Sequence, residues 1–145
     1  MVPQKGYDFQ GAIFFYLLHP LPNGACFAGV KADLGNMDLS HMRGVMLKVR
    51  REGENSRFKL ILHHNGSAYP SYTSNFIAPK NEFIDVFLDF SSFLPFHWGR
   101  PVKYAHPLNT RNLTSLSFQI AGGVYDDFKQ SGPGSLEIAW VQALS

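Results

Sequence analysis

Hydrophobic and polar residues alternate most regularly in the middle of the chain, over residues 44–51 and Arg57–His64. Successive side chains of a strand point to opposite faces, so each run has one apolar face and one polar face. A charged turn that contains Gly53 separates the runs. The pattern predicts a hairpin with one dry side and one basic side, the repeating unit of a two-sheet sandwich.

Further apolar runs flank this pair, with turn-forming residues between them. We predict strands at residues 7–18, 25–31, 71–77, 83–90, 113–121 and 135–144. No stretch of useful length has helical periodicity, and no linker divides the chain of 145 residues. The pattern therefore predicts one all-β domain, residues 1–145, folded as an antiparallel sandwich or jelly roll. Its predicted core contains Val45, Leu47, Val49, Phe58, Leu60, Leu62, Leu116, Phe118, Leu136 and Ile138.

Composition narrows the class of partner. Hydrophobic residues make up 45% of the chain and charged residues 17%, which excludes a disordered protein. The formal net charge of +2 does not favour nucleic acid as a ligand. No apolar run approaches the ~20 residues of a membrane span, and we recognise neither a signal peptide nor a transit peptide in these residues.

The sequence predicts no catalytic apparatus. His63 and His64 are adjacent in a strand and point to opposite faces, so the two imidazoles cannot share one ion. Cys26 lies in a predicted strand, and no serine stands in a nucleophile elbow. We expect no enzyme activity, no cofactor and no metal. A calcium ion at a loop was weighed as well, but no acidic loop has the required density of ligands.

Two surfaces are candidate binding sites. The first is the basic side of the central pair, with Lys48, Arg50, Lys59 and His63, to which neighbouring strands add Ser117, Gln119 and Glu137. If these faces belong to one sheet, they form a polar, concave surface. A solvated outer face without a ligand is the plain alternative.

The second candidate is the long segment at residues 91–108, which has three prolines and exceeds the length of an ordinary connection. Its side chains, with one from the next loop, are of the types enriched at binding hot spots. They are His97, Trp98, Arg100, Tyr104 and Tyr125. Alternatively, Phe93, Phe96 and Trp98 pack inward and close the end of the sandwich.

Short motifs along residues 9–141 carry a resemblance to a known family. They are Phe9-x-Gly11, Phe27-Ala28-Gly29-Val30, the central pair of strands, Tyr72-x-x-x-Phe76, Leu88-x-Phe90-Ser91-x-Phe93, Gly99-Arg100 and Gly134-x-Leu136-Glu137-Ile138. In this order they resemble the complex I intermediate-associated protein family. The resemblance implies a jelly roll like that of galactose-binding domains.

The resemblance also implies a function: a non-enzymatic assembly factor or chaperone that binds a protein partner, an assembly intermediate, in mitochondria. A cytoplasmic location is the alternative. The same architecture serves sugar recognition, so a carbohydrate-binding module is the second hypothesis, with the polar face and the loop aromatics as its site. A hydrolase with an unrecognised site is a third.

Overall fold

The computed structural model describes the backbone of residues 3–4, 8–18, 27–54, 56–97, 100–121 and 132–145, and the side chains of residues 31–54, 56–97, 100–120 and 134–145. None of these segments contains a helix long and apolar enough to cross a membrane. A single 3-10 turn, Phe90–Ser92, is the helical element within these ranges. The strands are β1 (Pro3–Gln4), β2 (Asp8–Leu18), β3 (Phe27–Met37), β4 (Gly44–Glu52), β5 (Arg57–His64), β6 (Ser71–Ile77), β7 (Ile84–Asp89), β8 (Leu94–His97), β9 (Arg100–Pro101), β10 (Leu113–Ala121) and β11 (Gly132–Leu144).

These strands form two sheets, and their named pairings are all antiparallel. The five-stranded sheet has the order β1-β2-β11-β4-β7, and the six-stranded sheet has the order β3-β10-β5-β6-β8-β9. Most neighbours in space are distant in sequence, as in a jelly roll. The predicted all-β fold is confirmed.

The central pair of strands is not a hairpin, and that prediction was wrong. β4 pairs with β11 and β7, whereas β5 pairs with β10 and β6. The turn between them carries the chain from one sheet to the other. Each strand has one apolar face. In a sandwich that face is buried against the opposite sheet, whichever of the two sheets the strand belongs to.

The core prediction is confirmed. All ten predicted residues are at most 4% exposed. Aromatic rings add to this core: Phe76 lies 6.0 Å from Phe58 and 6.2 Å, edge-on, from Phe118, measured between ring centroids. The alternation of side chains along each strand thus separates the inner surface of each sheet from the outer one.

The segment at residues 91–108 is more ordered than the sequence predicts. It contains β8 and β9, which extend the six-stranded sheet at its edge. Phe93 packs into the core, as one alternative held, whereas Phe96 is half-buried on the outer surface. The Tyr72 hydroxyl donates to the His106 carbonyl at 2.6 Å, which fixes the end of the segment to β6.

Candidate functional site

The outer face of the six-stranded sheet forms an open groove with a volume of about 870 Å³. β3, β10, β5, β6 and β8 supply its floor, and residues 66–69, which follow β5, supply one side. The lining residues are Lys31, Asp33, Lys59, Ile61, His63, Gly66, Ser67, Ala68, Tyr69, Ser71, Thr73, Phe96, Thr114, Ser115, Ser117 and Gln119.

Ile61 lies at the centre of the floor. It points outward from β5, and its partners in register are Ser117 of β10 and Thr73 of β6. On a flat sheet an outward isoleucine would be exposed, yet Ile61 exposes only 8% of its surface. The half-buried ring of Phe96, beside Ser71 in register, widens this apolar centre. Neighbouring groove residues therefore shield Ile61 from solvent, and the floor of the groove is apolar at this point.

Hydroxyl groups surround the apolar centre. Ser115 and Ser117 point into the groove from β10, and Ser71 and Thr73 point into it from β6. At one end Thr114 accepts a hydrogen bond from the Gly66 backbone N–H at 3.2 Å, which joins β10 to the side of the groove. A hydroxyl both donates and accepts, so such a lining suits a ligand rich in hydroxyl or amide groups.

His63 links the hydroxyl groups to the residues that follow β5. Its Nδ1 lies 2.9 Å from Ser115 Oγ. Burial of the imidazole, and then the positive charge of Lys31, lower the pKa of His63, while a hydrogen bond to the Ala68 backbone carbonyl partly offsets them. The ring is therefore neutral at pH 7, where its ordinary pKa of about 6.5 already favours the neutral form. The neutral ring and the Ser115 hydroxyl share a hydrogen bond at Nδ1, and the tautomer of the ring decides which of them donates.

An aromatic pair stands at the rim of the groove. The rings of Tyr69 and His97 are stacked, with centroids 4.6 Å apart and an interplanar angle of 19°. Tyr69 remains 53% exposed while it lines the groove. A flat ring in this position offers contact area to a planar or ring-shaped ligand.

Two lysines enter the groove from opposite sides of β10. Lys31 of β3 is in register with Ser117, and Lys59 of β5 is in register with Gln119. The nearby Asp33 carboxylate accepts the Gly35 backbone N–H at 2.8 Å. The charged part of the groove is therefore formed by two ammonium groups and one carboxylate that already holds a turn.

The outer face of the five-stranded sheet is arranged differently. Arg50 Nε donates to Glu137 Oε2 at 2.8 Å, and its guanidinium carbon lies 4.4 Å from the Phe83 ring centroid. Arg43 likewise lies over Phe87, at 4.9 Å, and beside Asp89. On this face arginines are paired with carboxylates and rings of the chain itself.

Comparison with known proteins places the chain in a family. The family model described as complex I intermediate-associated protein 30 (CIA30) matches residues 2–138. The chain belongs to this family. The resemblance inferred from the short motifs is thereby confirmed. No curated protein matches the sequence.

Solved structures similar to this CIA30 chain share its fold at low identity. A family 11 carbohydrate-binding module from Clostridium thermocellum, in complex with a β-1,3-1,4-mixed-linked tetrasaccharide, matches with TM-score 0.64 and 12% identity over 96% of this chain and 86% of the module. The family 11 module of the cellulase Lic26A-Cel5E from the same organism matches with TM-score 0.61 and 13% identity over 96% of this chain and 85% of the module. An agarase matches with TM-score 0.57 and 9% identity over 100% of this chain and 23% of that enzyme. At these identities the similarity establishes the fold alone.

The predicted basic surface is divided between the two sheets of the CIA30 domain. Lys59 and His63 lie in the groove with Ser117 and Gln119, as expected. Lys48 and Arg50 lie on β4, together with Glu137 of β11, in the opposite sheet. The condition that these faces belong to one sheet is therefore not met, because β4 and β5 lie in different sheets.

The predicted loop surface is described only in part. His97 stacks on Tyr69 at the rim of the groove, Arg100 is in register with it on β9, and Tyr104 is 96% exposed. Trp98 and Tyr125 lie outside the described residues.

Sequence reasoning missed several groove residues, most importantly Tyr69, Lys31 and Ser115. Tyr69 lies between the predicted strands at residues 57–64 and 71–77, and an aromatic residue between turn formers was a usable signal. The sequence analysis also found no nucleophile paired with a base, whereas the fold brings Ser115 to His63. In the described part of the chain, no group of three or more histidines, cysteines or acidic residues is placed to hold a metal ion.

Proposed function

We propose that this CIA30 domain is a non-enzymatic binding domain that engages a protein partner during assembly of respiratory complex I. The observation that carries the proposal is the family match over residues 2–138. The partner surface we propose is the edge of the six-stranded sheet, where Tyr104 is 96% exposed and Leu94 57% exposed. The Val102 backbone N–H donates to the Pro95 carbonyl at 3.0 Å, so β8 and the residues after β9 form one unit. A fixed edge with exposed aromatic and aliphatic side chains favours protein binding, because little entropy is lost on contact.

This proposal is tested by purifying the tagged full-length protein from its own cells and probing for complex I subunits. We expect subunits to co-purify, and Trp98→Ala or Arg100→Ala to reduce their recovery with an unchanged melting temperature. Lys80→Gln, which alters a surface lysine paired with Glu54, is the matched control. Absence of complex I subunits would contradict the proposal, and lowered melting with full recovery would make the loop structural. Fractionation of the same cells tests the proposed mitochondrial location.

A second candidate function is carbohydrate binding, and one observation favours it: the exposed Tyr69 ring at the rim of a hydroxyl-lined groove. Tyrosine rings stack on the apolar faces of sugars, and hydroxyls and amides hydrogen-bond their rims. The family 11 module with its bound tetrasaccharide has the same fold, which supports the idea without locating a site. Affinity electrophoresis on soluble glycans tests it, with Tyr69→Ala as the variant expected to lose retardation.

We propose that the Ser115–His63 pair is structural and not catalytic. Ser115 is only 5% exposed, and β10 is paired with strands on both sides, so its backbone N–H groups are engaged in the sheet. Acyl transfer needs N–H donors directed at a developing oxyanion. Ester or glycoside turnover by the purified protein that Ser115→Ala abolishes, in a variant that still folds, would contradict this.

A further inference from the structure

Within the part of the chain that the structure describes, the two lysines of the groove lack a carboxylate partner, whereas three other cations have one. Arg43, Arg50 and Lys80 each have a carboxylate partner within the chain. Among the described residues, neither Lys31 nor Lys59 makes a salt bridge, although both line the groove. The groove therefore has an excess of positive charge toward its interior.

The two lysines lie at one end of the groove, as measured along β10. Lys31 and Lys59 flank β10 at Ser117 and Gln119, while residues 66–69 meet β10 at its other end, where the Gly66 backbone N–H donates to Thr114. Five residues of strand separate Thr114 from Gln119, or about 16 Å at ~3.3 Å per residue. An elongated ligand that stacks on Tyr69 thus reaches the two ammonium groups at its other end.

The neutral His63 ring lies between these ends. Burial is the main cause of its lowered pKa, and the positive charge of Lys31 adds to it, so Lys31 acts on the centre of the groove. A ligand carboxylate beside Lys31 and Lys59 is attracted by two positive charges, whereas a neutral ligand is not.

A saccharide fits the groove better than an extended peptide. A peptide binds a sheet most often by adding a strand at an open edge, through backbone hydrogen bonds. The groove floor is the interior of a sheet, where β10 and β5 are each paired on both sides. Recognition there must come from side chains, and those present include hydroxyls, an amide, two lysines and the rings of Tyr69 and Phe96.

We infer that the groove binds an acidic oligosaccharide, one whose sugar rings carry carboxylate groups. One sugar stacks on Tyr69, hydroxyls of the chain meet Ser115 and Ser117, and a ligand carboxylate lies between Lys31 and Lys59. This inference rests on the second candidate function and specifies its class of ligand.

The test compares uronate oligosaccharides with their methyl esters by isothermal titration of the full chain. The two ligands have the same backbone and differ in charge. We expect the acid to bind about tenfold more tightly than its ester, a preference of the size that one charge contact gives. We expect ~0.5 M NaCl to remove most of that preference, because exposed charges are screened at this ionic strength.

Variants assign the preference to the lysines. The double variant Lys31→Gln and Lys59→Gln is expected to bind acid and ester equally. Lys80→Gln is the control, since it removes one surface charge outside the groove lining. Circular dichroism confirms that each variant is folded.

Three outcomes overturn the inference in distinguishable ways. Equal binding of acid and ester by the wild type refutes the acidic ligand but leaves carbohydrate binding intact. Binding of no glycan at all refutes the second candidate function as well. Binding of polyglutamate as tight as that of the uronate assigns the groove to acidic peptides.

Discussion

The outer faces of the two sheets are built by the same alternation of side chains, yet their positively charged residues differ in whether they form ion pairs. On the five-stranded sheet, Arg50 is held by Glu137 and lies over Phe83. On the six-stranded sheet, Lys31 and Lys59 border a groove of about 870 Å³ and make no salt bridge among the described residues. In the described ranges, the arginines of one face are paired within the chain, and the two lysines of the other face are not.

The cause of this difference is register. β4 and β11 place Arg50 directly opposite Glu137, so cation and anion meet on the same face. β10 instead places Ser117 and Gln119 opposite the two lysines, and hydroxyls and amides do not neutralise an ammonium group. Residue types alone therefore do not distinguish the two surfaces, whereas the partners that the fold gives to each residue do.

The largest effect we expect is on stability and involves the core that both faces share. Leu60 is fully buried beneath the groove. Leu60→Ala should lower the free energy of unfolding by about 2–5 kcal/mol, as large-to-small core substitutions do. Urea denaturation measures this, with Lys59→Gln on the same strand as the control. A loss below about 1 kcal/mol would mean that the core collapses around the cavity more readily than this packing indicates.

The next effect separates the two faces by their aromatic residues. Tyr69→Ala should weaken ligand binding by about 2 kcal/mol, as loss of a hot-spot ring does, with stability changed by no more than ~0.5 kcal/mol. Phe87→Ala on the other face is the matched variant, because its half-buried ring lies under Arg43. It should lower stability and leave binding unchanged. The reverse result would exchange the roles that we assign to the faces.

A smaller effect tests whether the ion pair with Glu137 holds Arg50 on the five-stranded sheet. A double-mutant cycle of Arg50→Gln and Glu137→Gln should give a coupling energy of about 1 kcal/mol, because both side chains are partly buried. Thermal denaturation of the four proteins supplies the values. A coupling near zero would show that Phe83 and the aliphatic stem, and not the carboxylate, hold the guanidinium.

The smallest effect concerns acid stability beneath the groove. Burial lowers the pKa of His64, whose Nδ1 accepts the Asn109 backbone N–H at 2.6 Å. The His64 imidazole of the unfolded chain takes up a proton more readily than that of the folded chain. The contribution of the neutral ring to stability is therefore fully present above about pH 6.5 and declines as the pH falls below that value. His64→Asn keeps an acceptor oxygen and removes the titration. Its stability should therefore depend less on pH between about 8 and 5; an unchanged slope would contradict this role of His64.

The core and the fold class were predictable because a strand exposes alternate side chains to alternate faces. Val49 and Leu60 could be assigned to the interior from spacing alone, and both are fully buried. The same rule placed Lys59 and His63 on an outer surface with Ser117, where the groove is found. The rule fails for Ile61, which points outward and is nevertheless buried, because the groove residues around it come from several strands together.

What the sequence determines by itself is therefore local: the extent of most strands, the face on which each side chain lies, and the family to which the chain belongs. Which strands pair was decided by the tertiary structure alone. β4 and β5 are adjacent in sequence but lie in opposite sheets, so Lys48 and Arg50 are separated from Lys59 and His63. The physical reason is that an apolar face gains the same burial from any complementary partner, whereas the choice among partners depends on the whole set of strands. The groove, the Ser115–His63 contact and the position of Tyr69 all follow from that choice.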